Sequence, residues 1–291
     1  MTDPASFGQT LAKLVSEQSQ AEQFSGVILV QHDGEILFRE AFSYANRSWA
    51  IKNQVETSFR IASISKMFTA VAILQLIEQG RLTFDTEVVP LLSLKNTEIP
   101  PQVTIYHLLT MTAGIADWFD ESGDWEANWA ALCREQPLYL LRNNRDYLPL
   151  FVNQPPLAAV GERYQYNGAG YILLGLIIEQ VTGQPYFEAI RRQVFEPAGM
   201  TDTDFIALDG VETEVAEGYI PLKDSDGAIT GWRKNIYATT PEAAADGGAT
   251  STAPDLIRFT QALRVGKLLS AEMTQEILTP KVVDEATQFR G

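Results

Sequence analysis

Ser63 and Lys66 stand three residues apart in "FRIASISKMFTAVAILQLIEQG", Phe59 to Gly80. At a helix start, positions i and i+3 share a face. The hydroxyl and the amine therefore point the same way, and Ser63 sits at the positive end of the helix dipole. A serine hydroxyl is a weak nucleophile until a base takes its proton. A lysine can be that base where burial disfavours its charged form. The apolar run behind Lys66 (Met67, Phe68, Val71, Ala72, Ile73) supplies such a setting. The spacing alone has a second reading, in which Ser63 caps a helix and Lys66 lies on its solvated first turn.

The elements that must hold this pair can be read from punctuation and periodicity. Residues 6–20 read as an amphipathic opening helix. In "SGVILVQHDGEILFREAFSYAN", β-rich runs flank Asp33-Gly34, a hairpin signal. Residues 64–79 read as a helix closed by Gly80. "TIYHLLTMTAGI" restarts a helix behind Thr104, and residues 117–160 hold helical stretches between prolines. "GYILLGLIIEQVTG", from Gly170 to Gly183, reads as a buried helix, and "PYFEAIRRQVFEPAGM" gives another. Strand-like and loop-like text runs from about Asp204 to Ala249. A capping box, Thr252 with Asp255, opens a helix that ends at Gly266, and "SAEMTQEILTP" gives a short last one. Early strands, a helical middle and late strands make an α+β pattern, with a helical region interrupting a sheet.

Bulk properties exclude several classes. The chain has 291 residues, 45% of them hydrophobic, and a net charge of −15. Such a surface repels nucleic acid and anionic membranes, so neither is expected as a partner. It also serves solubility. The single cysteine, Cys133, forms no internal disulfide and reads as a small core residue. His32 and His107 are too isolated for a histidine metal site. No apolar run reaches the length of a membrane span. The N-terminus lacks the order of a signal peptide, so the chain as given reads as cytoplasmic. A periplasmic or secreted protein trimmed of its leader would read the same.

Several segments carry a family likeness. "TSFRIASISKMFTAVAILQLIEQGRLTFD" resembles the first motif of the serine β-lactamase and penicillin-binding-protein superfamily, in its class C-like and esterase branch. "VTIYHLLTMTAGIADW", "GERYQYNGAGYILLGLIIEQVTGQPY", "EPAGMTDTDF" and "GGATSTAPDLIRF" resemble further landmarks in the same order. The likeness covers roughly residues 24–280. It implies that Ser63 accepts an acyl group and that Lys66 is its proton-transfer partner. It also implies a tyrosine as general base or acid: Tyr166 by position, with Tyr164 as competitor. A phenol beside an ammonium is stabilised as phenolate, so Tyr166 and Lys66 would share one mobile proton. No metal or organic cofactor is implied.

The chain departs from the family pattern in three places. The second motif, usually Tyr-x-Asn, has Gly168 at its third position; Asn167 comes one residue early. The family's asparagine helps hold a substrate amide and the lysine, so its loss shifts weight towards ester substrates. Gly168 would also leave room for a bulky acyl group. In "LLTMTAGI", Met111 and Ala113 replace a frequent His and Ser, and the site reads as structural. The third motif, Lys-Thr-Gly or His-x-Gly, is not found; Lys281 precedes Val282-Val283. In the family that strand gives one of the two N–H groups of the oxyanion hole. The hairpin would also lack its C-terminal partner strands and expose an apolar edge. The sequence therefore reads as an N-terminal piece of a longer protein, whose C-terminal fragment would complete the sheet; a genuinely short, degenerate member is the alternative.

The expected architecture is of the β-lactamase/transpeptidase type. Residues 1–60 begin an α/β lobe of antiparallel sheet with flanking helices. Residues 61–200 form a mostly helical lobe with the first two motifs, and residues 201–291 return, incompletely, to the first lobe. The site lies between them: Ser63, Lys66 and Tyr166 catalytic, with Asn167, Gly168 and Trp118 contacting a small-molecule ester or amide. Trp118, Trp125 and Trp129 would wall an apolar acyl pocket or simply pack. The implied reaction is serine hydrolysis, with a carboxylesterase ranked before a D-amino-acid peptidase and a β-lactamase. A non-catalytic, acyl-trapping binding protein is the reading from another class.

Overall fold

The computed structural model describes residues 4–121 and 123–283. It opens with helix α1 (Pro4–Gln20) and a hairpin of β1 (Gly26–His32) and β2 (Glu35–Phe42). The hairpin pairs Gly26 with Phe42 and His32 with Glu35. Its turn places both Asp33 (φ 48°) and Gly34 (φ 86°) in the left-handed region. That geometry matches the right-handed twist of the strands and explains the Asp-Gly pair. Helix α1 packs on β2. Among the described residues the hairpin pairs with no further strand.

The remaining strands are short. β3 (Tyr44–Asn46) pairs with β4 (Ile51–Lys52) and β5 (Phe59–Arg60) with β8 (Thr250–Ser251). β6 (Tyr219–Lys223) pairs with β7 (Ile229–Lys234). The expected antiparallel sheet thus consists, among the described residues, of four two-stranded ladders. The β5–β8 ladder matters most here, because Phe59 and Arg60 lead directly into Ser63.

Helices α2 (Lys66–Glu78) and α7 (Gly168–Thr182) form the centre of the helical region. Both are apolar on nearly every side, as helices at the middle of a core must be. Phe68, Val71, Ala72, Ile73 and Leu76 of α2 are fully buried, as are Ile172, Leu173, Leu174 and Ile177 of α7. Around them lie α3 (Val88–Leu91), α4 (Ile105–Leu109), α5 (Trp125–Glu135), α6 (Asn144–Phe151), α8 (Tyr186–Ile190) and α9 (Glu196–Ala198). A π turn, Arg191–Phe195, joins α8 to α9. The chain returns through α10 (Ala253–Arg264) and α11 (Ala271–Leu278). Phe259 of α10 meets Phe68 edge-to-face at 5.0 Å, so the late segment shares the same core. Each such fully buried ring contributes about 1.5–3 kcal/mol.

Two local expectations change in the structure. Helix α7 starts at Gly168 rather than Gly170, because Asn167 caps it: its Oδ1 accepts from the Gly170 N–H at 2.8 Å. At α10, Thr252 caps as expected, accepting from the Asp255 N–H at 3.2 Å. The fully buried Asp255 carboxylate turns inward instead, accepting from Asp202 N–H (2.8 Å) and Thr203 Oγ1 (2.7 Å) and pairing with Arg258. A buried carboxylate needs several donors, and that demand outweighs closing the capping box. At α4 the box does close, with Thr104 and His107 as partners. No described helix is long and apolar enough to cross a membrane.

Candidate active site

Ser63 lies in a single 3-10 turn, Ala62–Ser65, between β5 and α2. The turn enters through Ala62 at φ 45°, a left-handed conformation that non-glycine residues rarely adopt. This sharp entry leaves Ser63 exposed while Lys66, one helical turn on, is buried. Lys66 Nζ donates to Ser63 Oγ at 3.2 Å, and the Tyr166 hydroxyl donates to the same oxygen at 2.6 Å. Lys66 Nζ also lies 4.9 Å from the Tyr166 ring centroid. The spacing of Ser63 and Lys66 and the position of Tyr166 thus bring two groups onto one oxygen.

Tyr166 is placed by the stretch before α7. Gln165 N–H donates to Met111 O at 2.9 Å and Gly161 N–H to Thr112 O at 2.8 Å. The segment holding Met111 and Ala113 therefore acts as a rail for residues 161–165.

A loop from residues 240 to 249 is stitched across the start of α2. Thr69 Oγ1 donates to Ala245 O at 2.6 Å, Lys66 Nζ to Asp246 O at 2.5 Å, and Ala249 N–H to Ser65 Oγ at 3.0 Å. From the other side, the Arg60 guanidinium donates to the carbonyls of Thr240 (2.6 Å), Glu242 (3.1 Å) and Gly248 (3.3 Å). One arginine on β5 thereby ties the loop to the strand that delivers Ser63.

Two carboxylates flank the N-terminus of α7. Asp117 accepts from the N–H groups of Gly168 (2.7 Å), Ala169 (2.9 Å) and Trp118 (2.7 Å). Burial pushes its carboxyl up to about 6, against the lowering effect of the Gly168 and Ala169 N–H groups. Asp246 accepts from Trp118 Nε1 at 2.9 Å. Burial raises its carboxyl above the ordinary range, opposed first by Lys66 and next by Trp118.

Each residue expected to contact substrate has close partners within the chain. Asn167 is buried, and both ends of its carboxamide are committed: Oδ1 caps α7, and Nδ2 donates to Ile115 O at 3.0 Å. It stands one residue early in the motif, so its side chain turns to the helix end. Trp118 is bonded to Asp246 and packs edge-on against Trp129 and Tyr147. Gly168 leaves no room for an acyl group. A Cβ there would stand 2.7 Å from Trp118 Nε1 and 2.8 Å from Asp246 Oδ2. Trp129 donates through Nε1 to Ala238 O at 2.9 Å and stacks on Trp125, which is half exposed. An apolar cleft of about 310 Å³ opens instead beside Lys66, lined by Met67, Leu74, Tyr106, Leu109, Met111 and Leu278 among others. Lys281 stands at its rim, paired with Glu276 at 2.7 Å. Cys133 is half-buried against the core, and burial raises its thiol.

Reading the sequence missed Asp117, Asp246 and Arg60. For the two aspartates the available signal was a lone carboxylate inside an otherwise apolar or small-residue segment, "GIADWF" and "AAADGGAT". Such carboxylates are rarely buried without assigned partners.

Residues 11–290 match the Beta-lactamase family model, and the chain belongs to that family. It is 29% identical over 287 residues to penicillin-binding protein 4* of Bacillus subtilis, covering 94% of this chain and 58% of that protein. It is 29% identical over 272 residues to the esterase EstB of Burkholderia gladioli, covering 88% of this chain and 66% of the relative. The chain thus spans about three fifths of the length of the curated relatives it matches. The crystal structure of a penicillin-binding protein from Bacillus halodurans superposes with a TM-score of 0.82 at 38% identity. That match covers 94% of this chain and 78% of the other. The fold is therefore of the β-lactamase/transpeptidase type.

Proposed function

We propose that this chain carries the catalytic centre of a serine hydrolase that works through a covalent acyl-enzyme on Ser63, with esters as its substrates. The observation that carries the reading is the convergence of Lys66 Nζ (3.2 Å) and the Tyr166 hydroxyl (2.6 Å) on the Ser63 oxygen. Ser63 Oγ attacks the ester carbonyl while its proton passes to the Lys66–Tyr166 pair. The tetrahedral intermediate collapses, and the departing alkoxide takes that proton and leaves as alcohol. Water then attacks the acyl-enzyme, gives its proton to the same pair, and Ser63 Oγ departs and recovers it.

Ester preference is supported by the second motif. Gly168 offers no carboxamide, and that of Asn167 is spent on Gly170 and Ile115. The motif therefore provides no amide group to hold a substrate amide. One of the similar proteins is named an esterase. The cleft beside Lys66 would accept an apolar acyl chain.

The test is labelling with a fluorophosphonate probe followed by turnover of short-chain nitrophenyl esters. One adduct mapped to Ser63, with multiple turnovers, is expected. Labelling that persists in Ser63→Ala would sink the assignment. An adduct without turnover would leave the acyl-trapping reading in its place.

A further inference from the structure

The apolar cleft beside Lys66 has a direction and a length. Its wall on α2 includes Lys66, Ala70 and Leu74, spaced four residues apart and so on one face. At the helical rise, the eight steps from Lys66 to Leu74 make this wall about 12 Å long. Lys66 is the end nearest Ser63, with its Nζ 3.2 Å from Ser63 Oγ. It belongs at once to the proton relay with Tyr166 and to the wall of the cleft. Met67 and Leu278 are 42% and 61% exposed and mark the open side. Ala70, Leu74 and Leu263 are buried and mark the depth.

We propose that this cleft sets acyl-chain length: the substrates are esters of straight-chain acids about eight to ten carbons long, with Ala70 beside the middle of the chain and Leu74 at its far end. The inference rests on the reading of Ser63 as the nucleophile that takes up an acyl group from an ester.

The length follows from chain geometry. A fully extended chain advances about 1.2 Å per bond, so about 12 Å holds about ten bonds. The volume of about 310 Å³ lies at the small end for a ligand pocket. The chemistry of the wall favours an alkyl chain over a polar acyl group. The Thr110 hydroxyl donates to Tyr106 O at 2.8 Å, that of Thr279 donates to Gln275 O at 2.7 Å, and Lys281 is paired with Glu276. A polar group drawn in would lose water and find few partners. The acyl group stays bonded to Ser63 after the alcohol has left, so an enclosed volume beside the nucleophile serves the part that stays.

The experiment is the release of nitrophenol from nitrophenyl esters of straight-chain acids, from acetate to dodecanoate. The first equivalent reports acylation of Ser63 alone. Its rate at low ester concentration should rise about fourfold per methylene and stop rising at about eight to ten carbons. Ala70→Leu blocks the cleft about 6 Å from Lys66, so its rise should stop about five carbons earlier. The comparison is the ratio of decanoate to acetate within each protein, so a general loss of activity cancels. If near-UV circular dichroism shows Ala70→Leu unfolded, Leu278→Asp carries the test. Leu278 is largely exposed, and the carboxylate removes apolar wall, so that ratio should fall about tenfold.

A wild-type rate that does not grow with chain length overturns the proposal. So does a wild-type profile in the folded variant, or a rate that grows instead with the alcohol chain in a series of alkyl acetates. These results leave the hydrolase reading standing if a fluorophosphonate still labels Ser63 and an ester is still cleaved. A wild type that is neither labelled nor active on any ester overturns both. Labelling without nitrophenol release from any ester overturns the ester reading and this inference with it.

Discussion

Lys66 Nζ lies 2.5 Å from the backbone oxygen of Asp246, a residue 180 positions away. The amine bonded to Ser63 is thus held by a loop from late in the chain, and the loop's own anchors become part of the site. Thr69 is one of them, fully buried between Ala245 O and the Tyr186 hydroxyl. Thr69→Val keeps the shape and leaves both partners unsatisfied, at a cost of about 1–3 kcal/mol. The expected result is a lower melting temperature together with slower labelling of Ser63. Wild-type labelling in a destabilised variant would show that the loop anchor and the amine are independent.

The relay predicts a steep dependence on one hydroxyl. Tyr166→Phe keeps the ring near Lys66 and removes only the 2.6 Å bond to Ser63. Ester turnover should fall about 10²–10⁴-fold, the usual contribution of a positioned acid or base. Tyr164→Phe should stay within a factor of a few. Steady-state kinetics on both variants decides between the two tyrosines.

Restoring the family's asparagine should impair the protein. Gly168→Asn places a Cβ against Trp118 Nε1 and Asp246 Oδ2. Overpacking of this kind costs about 1–3 kcal/mol. It also displaces the residue that holds Lys66, so activity falls with stability. A Gly168→Asn variant that is fully active at wild-type melting temperature would contradict the filled volume described here.

Asp117 gives stability a pH signature. Its carboxyl is raised from 3.8 to about 6 in the folded chain. Between those values the native state binds more protons than the unfolded state, so this group's contribution declines as pH rises through the window. The difference corresponds to about 3 kcal/mol between pH well below 3.8 and pH above 6, at 1.36 kcal/mol per unit. Asp117→Asn lacks the titration. Urea unfolding of both proteins from pH 4 to 7 should show the wild type losing ground to the variant as pH rises. A constant difference across that range would mean that Asp117 does not titrate there.

The local elements were legible because short-range chemistry specifies them. The Asp33-Gly34 turn, the apolar faces of α2 and α7 and the Thr104 and Thr252 caps each depend on residues a few positions apart. The Ser63–Lys66 pair is legible for the same reason: i and i+3 meet on any helix start. Tyr166 needed more, since its 2.6 Å bond spans 103 residues. Family likeness located it where periodicity could not.

The surroundings of that pair were settled by tertiary packing alone. Asn167 stands beside the motif in sequence, yet as the cap of α7 it points to Ile115 and Gly170, because a buried helix end must satisfy its N–H groups. Gly168 reads as open space in sequence and is filled in the fold by Trp118 and Asp246. Neither occupant is a sequence neighbour, and which side chain enters a gap depends on how the loop from 240 to 249 lies across α2. By itself, then, the sequence placed Ser63 and Lys66 on one face of a helix start and marked the helices around them, since those follow from local backbone geometry, while the roles of the two residues came from the family resemblance. Only the tertiary structure decided which carbonyl holds the amine and which carboxylates stand around it, because buried polar groups find their partners wherever the packed chain brings donors within reach.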